Sequence, residues 1–372
     1  MIRHPVFCIL PPYMLEHLAR HGEQINKDRA RLALAVTDQL RQQRAALSQQ
    51  PRPAPQAAAG PNKQRVVYSA DNGSTLPGRV VRTEGSVPTG DAAADEAFDG
   101  AGATFDLYWD IYQHNSIDNA GMRIDSTVHY QQGYDNAFWN GEQMVYGDGD
   151  EDLPADQRLF NRFTIAIDVI SHELTHGVTQ FSANLTYAGQ PGALNESVSD
   201  VFGSLVKQRT LNQDALSADW IIGAGLFTAN VNGVGIRSME APGTAYDDPA
   251  LGKDPQPAHM SGYVNTIEDN GGVHINSGIP NRAFYLTAHQ LGGFAWEKAG
   301  RIWYAALRGK FTAGTNFQGA ADLTYAAAGE LYGANSLEQQ AVSQGWAGVG
   351  ITVGASQPSG CLTSALRLLG FR

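Results

Sequence analysis

Apolar and polar positions change their period several times along the chain, and each change marks a structural boundary. Near the N-terminus, Pro11-Pro12-Tyr13-Met14-Leu15 leads into Glu16–His21, which Gly22 stops. From Asp28 to Ala46, Leu32, Val36 and Leu40 recur one turn apart among arginines, which predicts an amphipathic helix. Gln49–Pro61 is rich in proline and alanine and poor in anything that packs, so it reads as a linker. After Arg65 the period falls to two. Val66–Tyr68, Arg79–Arg82 and Ser126–Tyr130 read as strands, and Phe105–Gln113 as a helix. Asn136–Trp139 and Gln143–Tyr146 flank Asn140-Gly141, which predicts a hairpin.

Phe163–Ile170 is almost continuously apolar and predicts a buried helix starting near Phe163, with Asn161 as a candidate cap. Beyond Asp200 the helical period dominates, in Val201–Lys207, Gly278–Gln290, Phe294–Arg308, Phe317–Leu331 and Ser336–Gly345. The expected class is α+β. The expected divisions are a helical segment 1–48, a linker 49–64, a β-rich lobe with the central helix 65–186, an α-helical lobe 187–352 and a tail 353–372.

At the end of the buried helix stand His172-Glu173-Leu174-Thr175-His176. Histidines four apart share one helix face, because the helix turns once in 3.6 residues. Their imidazoles can hold one Zn²⁺ with Glu173 beside an open coordination position. Two histidines and a glutamate buried without a partner would be costly, and a metal supplies one. Glu196, in Asn195-Glu196-Ser197, can be the third ligand. Asp200, one turn further on, can accept a hydrogen bond from a ligating imidazole.

Composition narrows the class. At 42% apolar and 17% charged, the chain is globular. No apolar run approaches the ~20 residues of a membrane span. The net charge of −11 is divided unevenly: residues 1–65 carry ten Lys+Arg against four Asp+Glu, so a basic segment precedes an acidic body. That asymmetry predicts that the segment docks on the body and argues against nucleic-acid binding. Met1–Leu10 lacks an h-region and a cleavage site. The two cysteines, Cys8 and Cys361, lie near opposite ends. Together these lead to the expectation of a cytoplasmic protein, with export by a signal-free route as the alternative. Cys8 reads as an ordinary thiol, or else as a zinc ligand in a latent form. The acidic turn Asp148–Asp152 lacks the glycine and glutamate of an EF-hand loop and reads as a solvated turn.

HELTH, Asn195-Glu196-Ser-Val-Ser-Asp200, Asp269-Asn-Gly-Gly-Val-His274-Ile-Asn-Ser-Gly, Tyr134-Asp-Asn-Ala-Phe-Trp-Asn-Gly and Met144-Val-Tyr-Gly-Asp-Gly resemble the thermolysin family of zinc metallopeptidases over roughly residues 66–352. The His₂Glu set is that of thermolysin itself, so the ligand assignment is recognition as much as derivation. The short N-terminal segment with Pro11, Pro12, Tyr13 and Leu15 resembles the protealysin-type subgroup, whose short propeptide uses such an element to block the substrate cleft. The resemblance therefore implies a two-lobe peptidase made as a zymogen and trimmed by its own activity.

It also implies roles. Glu173 is the general base, His274 and Tyr187 are donors to the oxyanion, Asp269 orients His274, and Asp200 orients His172. Asn136 and Ala137 hold an extended substrate, and Arg237 steadies Glu196 and the substrate carbonyl. Phe160, Phe163, Val169 and Ile236 wall the S1′ pocket, which implies a bulky apolar P1′ residue. The implied partners are polypeptide substrates, the chain's own propeptide and a possible protein inhibitor, with no nucleic acid or membrane, and the chain is expected to be a monomer. One position departs from the family. Lys207 stands where calcium-stabilised members carry a carboxylate, and Asp219–Gly225 is acidic only at Asp219, with Asp168 retained. Two carboxylates and an ammonium make a poor calcium site, so a double calcium site is expected to be absent. The alternatives are a zinc hydrolase for another substrate class and a catalytically silent binding module.

Overall fold

The computed structural model describes residues 7–47, 60–61 and 63–354; the expectations for most of the linker and for the tail with Cys361 fall outside these residues. The N-terminal segment gives a short strand β1 (Phe7–Cys8) and helices α1 (Pro12–His21) and α2 (Gln24–Leu47). Pro11 caps α1 and Pro12 is its first residue, where a missing N–H costs nothing. Then come β2 (Arg65–Ser69), β3 (Arg79–Thr83), α3 (Ala92–Tyr112), β4 (Ile124–Val128), β5 (Ala137–Trp139) and β6 (Met144–Tyr146). The central helix α4 (Ile167–Phe181) leads to α5 (Gly189–Leu211), followed by the two-residue strands β7 (Ile221–Ile222), β8 (Arg237–Ser238), β9 (Asp247–Asp248) and β10 (Gly252–Lys253). The chain continues with α6 (Asp269–Asn276), α7 (Gly278–Leu291), α8 (Ala299–Gly309), α9 (Phe317–Tyr332) and α10 (Leu337–Ala347).

The main sheet has the order β1-β5-β6-β4-β2-β3. The Asn140-Gly141 hairpin forms as expected, with β5 and β6 antiparallel in the register Phe138↔Val145. The N-terminal strand completes the sheet: β1 lies antiparallel on the free side of β5, pairing Phe7 with Trp139 and Cys8 with Phe138.

Four expectations from the sequence are corrected. The helix read at Phe105–Gln113 is the last part of a longer one, α3, which begins at an Asp91 cap accepting from Ala94 N at 3.2 Å. Its first half is mostly alanine and glycine, which gives helix without a strong apolar period. α4 begins at Ile167, not near Phe163, and Asn161 does not cap it. Asn161 instead ties the loop at residues 225–226 to the β-rich lobe, its amide donating to Leu226 O at 2.8 Å and its Nδ2 to Gly225 O at 2.9 Å. α8 begins at Ala299 rather than Phe294, whose ring stacks on Trp296 at 4.4 Å. The turn Asp148–Asp152 is not simply solvated: Asp150 is fully buried and paired with Arg29 of α2.

The contact that positions the site is between α4 and α5. A β-carbon at Gly203 would lie 2.6 Å from the Asp168 carbonyl and 3.4 Å from His172 Cβ, so only glycine lets the two helices approach this closely. We expect Gly203→Ala to prise them apart, lowering stability by about 1–3 kcal/mol in chemical denaturation and reducing the zinc retained after dialysis. A variant with unchanged stability and zinc content would show that the approach is not limiting.

Candidate metal and peptide-binding site

His172, Glu173 and His176 lie on α4 and Glu196 and Asp200 on α5, all fully buried. One nitrogen of each imidazole is already engaged. His172 Nδ1 is 2.8 Å from Asp200 Oδ1, and His176 Nδ1 is 2.9 Å from Asn195 Oδ1 and 3.0 Å from Ser199 Oγ. That leaves the two Nε2 atoms facing each other at 3.0 Å, with Glu196 oxygens 3.5 Å and 3.4 Å away. The ligand atoms of His172, His176 and Glu196 all lie within 4.8 Å of one another. Glu196 Oε2 has no hydrogen-bond partner among the described residues. Two imidazole lone pairs and an orphaned buried carboxylate oxygen converging on one point fit a zinc ion.

The electrostatics agree. Burial works to lower the His172 pKa, but Asp200 and Glu196 raise it to about 9, whereas burial lowers His176 to about 3. Facing each other, the two rings take one proton between them. Asp200, despite burial, is held at about 2 by Arg237 and His172. Arg237 Nε and Nη2 each donate to Asp200 at 2.8 Å, and Asn281 Nδ2 donates to the same carboxylate at 2.8 Å. Among the described contacts Arg237 thus grips Asp200 rather than Glu196, a correction to the role read from the resemblance. Its Nη1 donates to the Ile9 carbonyl at 3.3 Å.

Glu173 Oε2 accepts from Trp139 N at 3.0 Å, while its Oε1 is buried with no partner among the described residues. Burial raises its pKa well above the usual range. Tyr187 donates a very short hydrogen bond to Glu196 Oε1 and lies 3.2 Å from His274 Nε2. Asp269 Oδ1 takes His274 Nδ1 at 2.6 Å and its Oδ2 takes the His274 amide at 2.8 Å. Burial opposes the charge on His274, but Asp269 and Glu196 raise its pKa.

The cleft beside these groups holds the N-terminal segment. Ile9 N donates to Ala137 O at 3.2 Å, Leu10 N donates to Asn136 Oδ1 at 3.0 Å, and the Cys8 carbonyl lies 3.2 Å from His274 Nε2. The strand is therefore Phe7–Leu10, just upstream of the Pro-Pro element. Pro11 and Pro12 have no N–H for further pairing and turn the chain into α1, where Met14 and Leu15 are buried and Tyr13 is partly buried. The Cys8 sulfur lies 3.7 Å from Thr37 Oγ1, and it is the Cys8 carbonyl that faces His274. Phe160, Phe163, Val169 and Ile236 are all buried in the apolar core, with the Phe160 and Phe163 rings 6.1 Å apart.

The calcium position is occupied by a side chain. Lys207 Nζ lies 2.9 Å from Asp168 and 2.8 Å from Asp219, and donates to the Ile221 carbonyl. Sequence reasoning missed the supporting roles of Asn195, Ser199 and Asn281 and the anchor at Arg29. Asn195 and Ser199 lie inside the Asn195–Asp200 motif, at one turn from Glu196 or less, which is the signal that marks helix-borne supports.

Residues 34–180 match the thermolysin metallopeptidase catalytic domain and residues 183–351 its alpha-helical domain. An extracellular metalloprotease of Pectobacterium carotovorum subsp. carotovorum is 49% identical over 356 residues, covering 95% of this chain and 99% of the relative. Protease PrtS of Photorhabdus sp. (strain Az29) is 44% identical over 349 residues, covering 93% and 92%. The solved precursor of protealysin, a metalloproteinase from Serratia proteamaculans, superposes with a TM-score of 0.83 at 48% identity, covering 93% of this chain and 100% of that one. The extracellular designation of so similar a relative overturns the expectation of a cytoplasmic protein, which leaned on a short N-terminus and a low cysteine count. With both domains matched and near-complete coverage by a relative of 49% identity, the chain belongs to the thermolysin family of zinc metallopeptidases.

Proposed function

We propose that this metalloendopeptidase is made as a zymogen whose N-terminal segment lies in its own substrate cleft and is removed by the enzyme's own activity. The observation that supports this most is the strand Phe7–Leu10 on the edge of β5, with the Cys8 and Ile9 carbonyls facing His274 and Arg237. Extended peptides bind sheet edges in this way, with backbone hydrogen bonds supplying affinity and side-chain pockets selectivity. A substrate would use the same edge, with Asn136 and Ala137 as its backbone partners.

His172, His176 and Glu196 are the residues to hold zinc, which when bound supplies Lewis acidity that lowers the pKa of water towards ~7. Glu173 Oε1 takes a proton from the attacking water and passes it to the departing amine. Its raised pKa suits a group that must hold a proton and release it. Tyr187 Oη and His274 Nε2 donate to the oxygen of the former carbonyl as it gains charge. Asp269 on Nδ1 keeps His274 protonated for that purpose. Asp200 orients His172, with Arg237 and Asn281 fixing the Asp200 carboxylate in turn. Phe160, Phe163, Val169 and Ile236 make the adjoining pocket apolar, favouring a bulky hydrophobic residue just after the cut bond. Lys207 takes the place of calcium, its ammonium bridging Asp168 and Asp219.

Glu173→Ala is expected to keep about one Zn²⁺ per chain and to lose casein hydrolysis by several orders of magnitude, since the ligands remain and the proton acceptor is gone. Substantial residual activity would sink this mechanism. A zinc chelator should abolish wild-type casein hydrolysis; activity that survives it would favour a reading outside zinc peptidases.

The intact Glu173→Ala chain should show almost no change in Tm with millimolar Ca²⁺. A site filled a hundredfold over its Kd would add about 2.7 kcal/mol, so a large upward shift would refute the replacement by Lys207.

Wild-type protein should shorten by roughly 50–65 residues as it gains activity, because the proline-rich stretch before Arg65 is the kind of segment that is nicked. Glu173→Ala should stay full length by mass spectrometry until active enzyme is added. If the full-length and trimmed Glu173→Ala forms bind a peptide inhibitor equally tightly, the cleft was never blocked and the zymogen reading fails.

A further inference from the structure

The N-terminal segment is held at a second place, away from the cleft. Arg29, on α2, is 7% exposed and reaches the turn after β6. Its Nη1 donates to the Gly149 carbonyl and to Asp150 Oδ1, each at 3.1 Å, and its Nη2 donates to both oxygens of Asp152 at 2.7 Å and 2.8 Å. Asp150 Oδ2 is taken by the amides of Leu159 at 2.8 Å and Phe160 at 3.0 Å, so the turn is shaped by its own lobe. The guanidinium lies over Gly133, where a β-carbon would fall 2.9 Å from Arg29 Cζ. The slot exists because position 133 has no side chain.

A third carboxylate completes the slot. Asp135 is 1% exposed, and neither of its oxygens has a hydrogen-bond partner among the described residues. Burial and then the charge of Asp150 raise its pKa well above the usual range, with Arg29 opposing. One guanidinium thus engages two carboxylates and leaves a third buried beside them without a donor. A surface cavity lined by Gln132, Gly133, Gly149 and Asp152 adjoins the slot and gives an ion its approach.

We propose that Arg29 fills a divalent-cation site of the catalytic lobe, built from the Asp135, Asp150 and Asp152 carboxylates and the Gly149 carbonyl, which takes Ca²⁺ once the N-terminal segment withdraws. The donor set is all oxygen, as a hard cation requires. Ca²⁺ accepts mixed carboxylate and backbone ligands in irregular geometry, where Mg²⁺ demands a near-ideal octahedron. A double charge neutralises what one guanidinium does not, and lets Asp135 ionise. The site differs from the Lys207 cluster, whose ammonium belongs to the lobe itself and stays. The timing of its filling rests on the zymogen reading; the existence of the site does not.

The test uses the full-length, zinc-loaded Glu173→Ala chain, which keeps the segment attached, with Ca²⁺ titrated calorimetrically and Tb³⁺ luminescence as a second probe. With Arg29 present no Ca²⁺ should bind below about 1 mM. Adding Arg29→Met should create one site per chain, and adding Asp135→Asn to that variant should weaken it on the order of tenfold or more. A folded Arg29→Met variant that binds no Ca²⁺, or whose Ca²⁺ affinity is unchanged by the further Asp135→Asn substitution, overturns the proposal. Should Arg29→Met fail to fold, the intact wild-type chain decides. Calcium at about 10 mM then competes with Arg29 and speeds loss of the segment severalfold, and Asp135→Asn removes the effect; an unchanged rate overturns the proposal. If the segment is never lost at all, the zymogen reading fails, while the binding titration still decides the site.

Discussion

The Asp200 carboxylate is the point at which the molecule is tied together. It sits on α5 and receives His172 from α4, Arg237 from β8 and Asn281 from α7, all at 2.8 Å. A buried carboxylate is expensive unless paired, and removing one partner of such a pair costs about 3–5 kcal/mol. Here the expense is met by one cation and two neutral or switchable donors, which hold the acid at a pKa of about 2. The same group fixes the His172 tautomer and so aims Nε2 at the metal position. Through Arg237 it also reaches the backbone of Ile9, so the strand in the cleft and the metal ligand share one anchor. The approach of α4 and α5 at Gly203 makes this possible, since the carboxylate must reach across a helix interface that a single methyl group would widen.

A free sheet edge is a hazard in most proteins because any extended chain can pair with it. This molecule turns that hazard into its recognition device. The side of β5 away from β6 is where an extended peptide finds backbone partners, and β1 occupies it. The prolines that follow define where pairing ends. They lack the N–H groups that another register would need, and they begin α1, whose Met14 and Leu15 bury against the catalytic lobe. Edge protection and cleft occupation are therefore one contact.

Local chemistry was legible in the sequence and spatial partnership was not. His172, His176 and Glu196 could be assembled from helical spacing and a motif, and the Asn140-Gly141 hairpin from turn chemistry. Asn161 misled because capping is a local rule and its donors were claimed by a distant loop. The first half of α3 was missed because alanine and glycine give propensity without an amphipathic period. Arg237 was assigned to Glu196, but its contacts depend on how β8 crosses α5, which no spacing encodes. The acidic turn was read as solvated because nothing local to Asp148–Asp152 shows that Arg29, some 120 residues earlier, is its partner.

Lys207 and Arg29 show two ways of supplying a positive charge to buried acids. Lys207 shares an interface with Asp168 and Asp219 inside one lobe, so its ammonium is permanent and folding alone provides it. Arg29 comes from a segment joined to the lobe by a proline-rich stretch, so its charge is conditional on that segment's presence. The difference lies in what each leaves unmet. Lys207 adds a bond to the Ile221 carbonyl and engages both acids around it, whereas Arg29 leaves Asp135 buried with no donor among the described residues. A lobe whose acids were arranged only to receive Arg29 would gain nothing from a third carboxylate, which costs desolvation and repulsion as long as the arginine is there. Asp135 makes physical sense as part of a set that meets a larger charge, and that asymmetry separates a salt bridge from a site held in reserve.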